Sequence, residues 1–307
     1  MIANFFNKTK PITTFSIVML LFIYYCISIL MEGFNNFSVL FIVNKLLYFF
    51  WYVLYLLVVI FIIKKNKLTQ DNSYALLLTV FMLGTFSKTN FLSYIIFSNI
   101  ALLLSFRKIY SLKNGINTKI KLFDAAFWIG ISTLIYSWSI LYMLLIYIGI
   151  FIYQKASFKN LLIPIVGFVT PIFIYFTYCF YFDSLPVFYE RFNYNFKLVF
   201  VAYNSLKFLI PITLLITVLL WAILLATPKI ILISNNLKFS WNVLINHLLI
   251  SIIIIIFSPI KNGVEFFYLV FPASIIIANF LERSKSTIFK NVILYLFLVI
   301  SISVYFL

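Results

Sequence analysis

The sequence is poor in nearly every residue that soluble chemistry relies on. It has seven acidic residues, one histidine and two cysteines in 307 positions. A single His cannot build a multi-His iron or zinc site, which excludes His-ligated oxygenase chemistry. Cys26 and Cys179 both lie inside apolar runs, so a disulfide framework is excluded and both read as small apolar fillers. No phosphate-binding loop, dinucleotide fingerprint, Gly-x-Ser-x-Gly or Cys-x-x-Cys is present. There is no low-complexity linker and no internal repeat. Only Arg107, Arg191 and Arg283 are arginines; the other cations are lysines.

What fills the chain instead is apolar. The hydrophobic fraction is 64% and the mean hydropathy is +1.12. A soluble domain is nearer half apolar, so lipid must be the main solvent here. With ~20-residue spans the length allows about ten crossings and no soluble domain of ordinary size. Residues 1–307 therefore read as a single transmembrane domain. The heavy use of Phe, Tyr, Ile, Asn and Lys is typical of an A+T-rich bacterial genome, so most aromatics read as lipid-facing or packing residues.

The net charge of +16 invites a nucleic-acid reading. The lysines are spread over many short loops rather than one basic stripe, so that reading is rejected. Their spacing fits the positive-inside rule and attraction to anionic lipid headgroups. The apolar run after Lys10 is about twenty residues long and lacks a small-residue cleavage site, so it reads as a retained first crossing.

Eleven crossings are predicted: 12–31, 46–63, 74–86, 91–106, 123–137, 140–153, 161–181, 206–227, 241–256, 264–281 and 287–307. Segments 74–86 and 91–106, and likewise 123–137 and 140–153, are short enough to be re-entrant pairs, and one such pair would bring the count down to nine. The expected fold is an all-α, polytopic helical bundle. With the N-terminus in the cytoplasm, 17 of the 23 basic residues fall on the cytoplasmic side. The other side holds Lys45, Lys88, Arg191, Lys197, Lys207 and Lys261. Residues 182–200 form the longest external segment. Phe188, Phe192 and Phe196 stand four apart, with Glu190, Arg191 and Asn195 on the other side, which predicts an interfacial amphipathic helix.

Candidate chemistry concentrates where charge breaks this pattern. Asp71, Asp124 and Glu282 lie among cytoplasmic lysines and read as charge balance. Glu32, at the outer end of the first crossing, has the chemistry of a general base or of a metal ligand at the outer surface, with a solvated helix end as the competing reading. Arg191 has a planar fork suited to phosphate or carboxylate, with a local pair to Glu190 or Asp183 as the competing reading. Lys261 and Glu265 read as an i,i+4 pair on a helix, or as ionisable groups facing a cavity. The candidate set is Glu32 as catalytic residue, with Lys88, Asp183, Glu190, Arg191, Lys261 and Glu265 binding substrate. No metal or cofactor is expected. His247 reads as a hydrogen-bonded packing residue.

Two resemblances extend this reading. The opening Met1-Ile-Ala-Asn-Phe-Phe-Asn-Lys-Thr-Lys-Pro-Ile12, with Lys121-Leu-Phe-Asp-Ala-Ala-Phe-Trp-Ile-Gly-Ile131, resembles a family of integral membrane proteins of unassigned function from flavobacteria and related Bacteroidetes. That resemblance implies the inner membrane of a Gram-negative bacterium. Asp124-Ala-Ala-Phe-Trp-Ile-Gly-Ile-Ser-Thr-Leu134 and Lys261-Asn-Gly-Val-Glu-Phe-Phe-Tyr-Leu-Val-Phe-Pro-Ala273 look like segments of the GT-C membrane glycosyltransferases. That likeness implies a polyprenyl-phosphate-linked sugar as substrate and an acidic catalytic residue in the first external loop, where Glu32 stands. The first loop here is very short, the usual acidic pair is a single Glu, and no large external domain follows.

Three functions are thus expected to compete. One is a glycosyltransferase-like enzyme of the envelope, with Glu32 as base and Arg191, Lys88 and Lys261 holding lipid phosphate. Another is a non-catalytic scaffold or accessory subunit of an envelope assembly. The last is a lipid or solute transporter, with a path lined by groups such as Asn99, Ser137, Asn204 and His247. Membrane lipids are expected partners in all three, and nucleic acid in none.

Overall fold

A computed structural model of the chain describes residues 1–32, 39–86, 94–192, 194, 198, 200–233, 235–259 and 261–307. Among these every regular element is helical. The helices are α1 (Ile2–Phe5), α2 (Pro11–Glu32), α3 (Val39–Asn66), α4 (Tyr74–Phe86), α5 (Ile95–Tyr110), α6 (Thr118–Ile135) and α7 (Met143–Ile152). They continue as α8 (Phe158–Tyr181), α9 (Leu185–Arg191), α10 (Leu206–Ile233), α11 (Asn235–Phe257), α12 (Phe267–Arg283) and α13 (Thr287–Ser303). Each of the eleven predicted segments is met by one helix. Seven stretches are long and apolar enough to cross a membrane. Tyr74–Phe86, Ser137–Ile152 and Thr287–Ser303 are apolar but shorter, and α6 carries Lys119, Lys121 and Asp124 in its first two turns. The chain is a polytopic, all-α membrane protein.

The helices gather into two compact units, Met1–Ser93 with Val199–Leu232 and Ile260–Leu307, and Tyr94–Leu198 with Ile233–Pro259. The centre of the first unit is α4. Its thirteen residues rise only about 20 Å, short of the ~30 Å hydrocarbon core. All thirteen are buried, with α12, α13, α2 and α3 packed around them, so protein rather than lipid surrounds this helix. The same reasoning covers α12, where Phe267–Leu281 is buried without interruption.

Several polar groups inside this unit are matched in pairs, although the buried Tyr55 hydroxyl has no partner among the described residues. At one end the Tyr74 hydroxyl donates to Ala3 O at 2.8 Å, Ala3 N donates to Asn291 Oδ1 at 2.9 Å, and Asn279 Nδ2 donates to Leu68 O at 2.9 Å. At the other end Tyr24 Oη and Ser301 Oγ are 2.5 Å apart, and Tyr305 donates to Gly84 O at 3.0 Å. Hydrocarbon offers no replacement for any of these partners.

The second unit closes on α6 and α8, which run parallel in close contact. Two glycines set that approach. A Cβ on Gly130 would lie 2.5 Å from Pro171 Cγ and 2.7 Å from Phe168 O, and one on Gly167 would lie 2.5 Å from Phe123 O. This is the small-residue packing by which membrane helices gain van der Waals contact. Pro171, which removes a backbone donor from the middle of α8, has its ring in the notch that Gly130 leaves. Ser98 Oγ lies 2.7 Å from Ser132 Oγ and 3.2 Å from Ser139 Oγ, Tyr142 Oη lies 3.0 Å from Ser251 Oγ, and Tyr136 donates to Ser258 Oγ at 2.6 Å.

Three helices end in the same unusual way. Lys67, Gln154 and Asp183 take left-handed φ values of 48°, 55° and 51°. The amide after each bonds back to the carbonyl five residues earlier: Leu68 to Ile63, Lys155 to Ile150 and Ser184 to Cys179. This is the Schellman motif, which normally takes glycine at the left-handed position. A chain with seven glycines places polar side chains there instead.

Charge is segregated in both units. In the first, Lys8, Lys10, Lys64, Lys65, Lys67, Lys229, Arg283, Lys285 and Lys290 share one end, and Lys45, Lys207 and Lys261 the other. In the second, Arg107, Lys108, Lys113, Lys119, Lys121, Lys155, Lys159 and Lys238 share one end, with Arg191 opposite. Lys88 and Lys197 lie outside the described residues. Asp124 balances Lys108 at 2.5 Å, as its sequence context predicts. Glu282 does more than balance charge: its Oε1 accepts from Gln70 N at 3.1 Å and Asn72 Nδ2 at 2.5 Å.

Leucine at Gly130 or Gly167 will force α6 from α8, and overpacking of this kind costs about 1–3 kcal/mol or more. Thermal unfolding in detergent should show a clear loss for either variant. Gly149→Ala, whose Cβ would meet Ile109 at a tolerable 3.2 Å, should change little.

Candidate functional site

In the second unit, the corner between α8 and α9 carries three candidate residues. Asp183 closes α8 in its left-handed cap, and Pro186 stands in the first turn of α9. Phe188 packs on Tyr175 and Phe176 of α8, with ring centroids 6.0 and 5.3 Å away, and on Phe192 at 5.0 Å. Among the described residues of the predicted amphipathic helix over 182–200, Leu185–Arg191 is helical. Phe192 follows it in a turn, and Asn195 and Phe196 lie outside the described residues. The aromatic face of α9 packs against α8, while Asp183, Glu190 and Arg191 are exposed.

Arg191 makes no ion pair among the described residues, so the expected local pair with Glu190 or Asp183 is not formed. Its side chain instead borders a cavity of about 420 Å³ that is otherwise lined by Tyr94, Phe97, Leu134, Ile135 and Tyr175. A guanidinium beside an aromatic and aliphatic hollow suits an anionic group attached to an apolar chain. These aromatic partners were missed by sequence reasoning, because a Phe- and Tyr-rich chain gives no reason to single them out.

The first unit holds Lys261 and Glu265. They are not an i,i+4 pair on one helix, because Gly263 takes φ +99° between them and turns the chain. Any side chain at Gly263 would strike Phe86 O at 2.7 Å and the Phe208 ring at 2.8 Å. Glu265 lies in the turn after Gly263 and is fully buried. Its Oε2 accepts from Gly263 N at 2.9 Å, and its Oε1 accepts from the Tyr203 hydroxyl. Around this carboxylate Phe266 stacks on Phe86 at 4.3 Å, and Tyr203 meets the edges of Phe266 and Phe208, each at 5.8 Å. Glu265 thus clasps the turn before α12 to the segment before α10. Tyr203, which completes the clasp, has no distinguishing sequence context.

Lys261 stands over the Phe200 ring at 5.0 Å. Burial lowers its pKa, and the Glu265 carboxylate partly opposes that fall. Glu32 is the last residue of α2, with its side chain outside the described residues, and Lys88 also lies outside them. The candidates therefore form two groups, Asp183 with Glu190 and Arg191, and Lys261 with Glu265.

Two of the four residues suggested for a transport path, Asn99 and His247, are occupied locally. Asn99 Nδ2 donates to Ile95 O at 3.1 Å within its own helix. His247 is fully buried, 3.0 Å from the Tyr110 hydroxyl through Nδ1 and 4.1 Å from the Phe106 ring centroid. It is the hydrogen-bonded packing residue that its sequence context predicts. Among the described residues no three of His, Cys, Asp and Glu stand together to hold a metal ion. The chain matches no protein-family model, no curated protein and no solved structure.

Because Glu265 raises the Lys261 pKa against burial, Glu265→Gln should lower it further. The neutral amine fraction then rises, and Lys261 should acylate faster at pH 9. Peptide-resolved labelling by mass spectrometry checks this, and an unchanged or slower rate would remove the electrostatic link.

Proposed function

We propose that this protein lies in a bacterial inner membrane, with a cytoplasmic N-terminus, and engages a phosphorylated polyprenyl lipid at its outer face as a glycosyltransferase-like enzyme. The observation that carries the proposal is the position of Arg191. It is exposed, free of an ion pair among the described residues, and set on the lip of an apolar cavity. A polyprenyl phosphate presents the matching pair of groups: a dianionic head for the guanidinium fork and an isoprenoid chain for the aromatic lining. The orientation is supported by the basic ends of the two units, which the positive-inside rule assigns to the cytoplasm.

In this reading Glu32 is the base that takes a proton from the acceptor hydroxyl. Arg191 offsets charge on the phosphate leaving group, where transfer chemistry needs stabilisation most, while Lys261 and Glu265 form a polar group of their own in the other unit. Both oxygens of Glu265 already accept hydrogen bonds. An accessory role without catalysis is favoured by one observation: the acids near Arg191, Asp183 and Glu190, are exposed and hold nothing.

Purified protein separates the two. Arg191→Gln should weaken polyprenyl-phosphate binding about tenfold or more, while Arg191→Lys retains part of it because a point charge replaces a fork. Glu32→Gln should lower sugar transfer from the polyprenyl donor by about a hundredfold with binding intact. Binding that depends on Arg191 without any transfer would select the accessory role. Binding indifferent to Arg191 would end both.

A further inference from the structure

A second cavity lies at the basic end of the first unit, and sequence reasoning assigned its lysines to topology alone. It measures about 400 Å³ and brings Lys64 and Lys67 together with Thr9, Thr69, Gln70 and Asp71. A groove of about 500 Å³ adjoins it, sharing Thr9, Ile60 and Lys64, and continues between α2 and α3 over Phe15, Val18 and Leu57. Lys10 and Thr14 also line this groove. Phe15 and Leu57 are 64% and 55% exposed, so the groove opens on the membrane-facing side of the helices. A cavity with Lys64, Lys67 and polar groups on its lining thus adjoins an apolar groove along the helices.

The chamber is held in shape from behind. Its wall is the 67–73 loop, pinned by Glu282 to Gln70 N and Asn72 Nδ2, by Asn279 to Leu68 O, and by Ser73 Oγ to Thr13 Oγ1 at 3.2 Å. Lys67 occupies the left-handed cap position of α3, where glycine would cost less backbone energy. A lysine at that position brings a second cationic side chain to the cavity that Lys64 also lines.

We propose that this cleft binds one molecule of an anionic glycerophospholipid whose head group carries hydroxyls. Lys64, Lys67 and Lys10 would take the phosphate, Asp71 would accept from a head-group hydroxyl, and an acyl chain would follow Phe15, Val18 and Leu57. Lysine serves here as a point charge near the membrane surface. The site is separate from that of Arg191, and its test does not depend on the proposed enzyme activity.

The test is thermal unfolding of the full chain in neutral detergent, titrated with short-chain phosphatidylglycerol, phosphatidylcholine or glycerol 3-phosphate. Phosphatidylglycerol should raise the Tm saturably, and the other two should not. Lys64→Gln and Lys67→Gln should each weaken the effect about fivefold. Lys65→Gln is the control: its ammonium lies over the Phe61 ring at 5.2 Å and lines neither cavity. An equal loss in Lys65→Gln would mean general surface charge and overturn the proposal. So would equal stabilisation by phosphatidylcholine, or by glycerol 3-phosphate, which would mean a free phosphate site. Wild-type protein gives an independent readout. Phosphatidylglycerol with a photoactivatable acyl chain should label 11–18 and 57–64, and labelling spread evenly over the lipid-facing helices would also overturn the proposal.

Discussion

A backbone amide or carbonyl left without a partner in hydrocarbon costs several kcal/mol. A chain that is 64% apolar must therefore close every such group on itself. Helices do this within one segment, which is why all the regular structure described is helical. The same constraint reaches the side chains. Tyr24 with Ser301, Tyr142 with Ser251 and Tyr136 with Ser258 are matched polar pairs between helices. Fully buried His247 meets a tyrosine hydroxyl, and fully buried Glu265 meets a backbone amide and Tyr203. The candidate polar residues for function lie at helix ends, where water and headgroups begin.

The helices were legible because their signal is long and simple. Apolar runs bounded by lysines place each segment on its helix, with bounds that miss by up to seven residues, as at the start of α3, and match at 74–86 for α4. The sequence could not show that α4 is enclosed by protein. Length alone made it look too short or re-entrant, and only the surrounding α12 and α13 explain its thirteen residues. Lys45 reads as an external lysine in sequence but is 8% exposed, since loop membership is inferred there from neighbours rather than packing.

Local geometry was less legible than topology. The Lys261 and Glu265 spacing suggested a helical pair, and one glycine in a left-handed conformation breaks the helix between them. The Phe188, Phe192 and Phe196 spacing suggested a helix that continues through Phe192, which instead stands in a turn, while Phe196 lies outside the described residues. Arg191 stood out in sequence for its rarity, and the cavity beside it comes from Tyr94, Phe97 and Tyr175, which are ordinary in a chain with 21 tyrosines and 38 phenylalanines. Rarity of residue type was a usable signal. Aromatic abundance was not.

The account rests on the basic end of each unit facing the cytoplasm, and thiol accessibility tests that directly. In a background with Cys26 and Cys179 replaced, single cysteines at Ala156 and Ser284 mark the two basic ends. Cysteines at Val187 and Ser205 mark the opposite ends. With a membrane-impermeant thiol reagent, Val187→Cys and Ser205→Cys should react in cells whose inner membrane is intact. Ala156→Cys and Ser284→Cys should react only after that membrane is opened. The reverse pattern, or two members of one pair reacting from opposite sides, would contradict the orientation and every site role built on it.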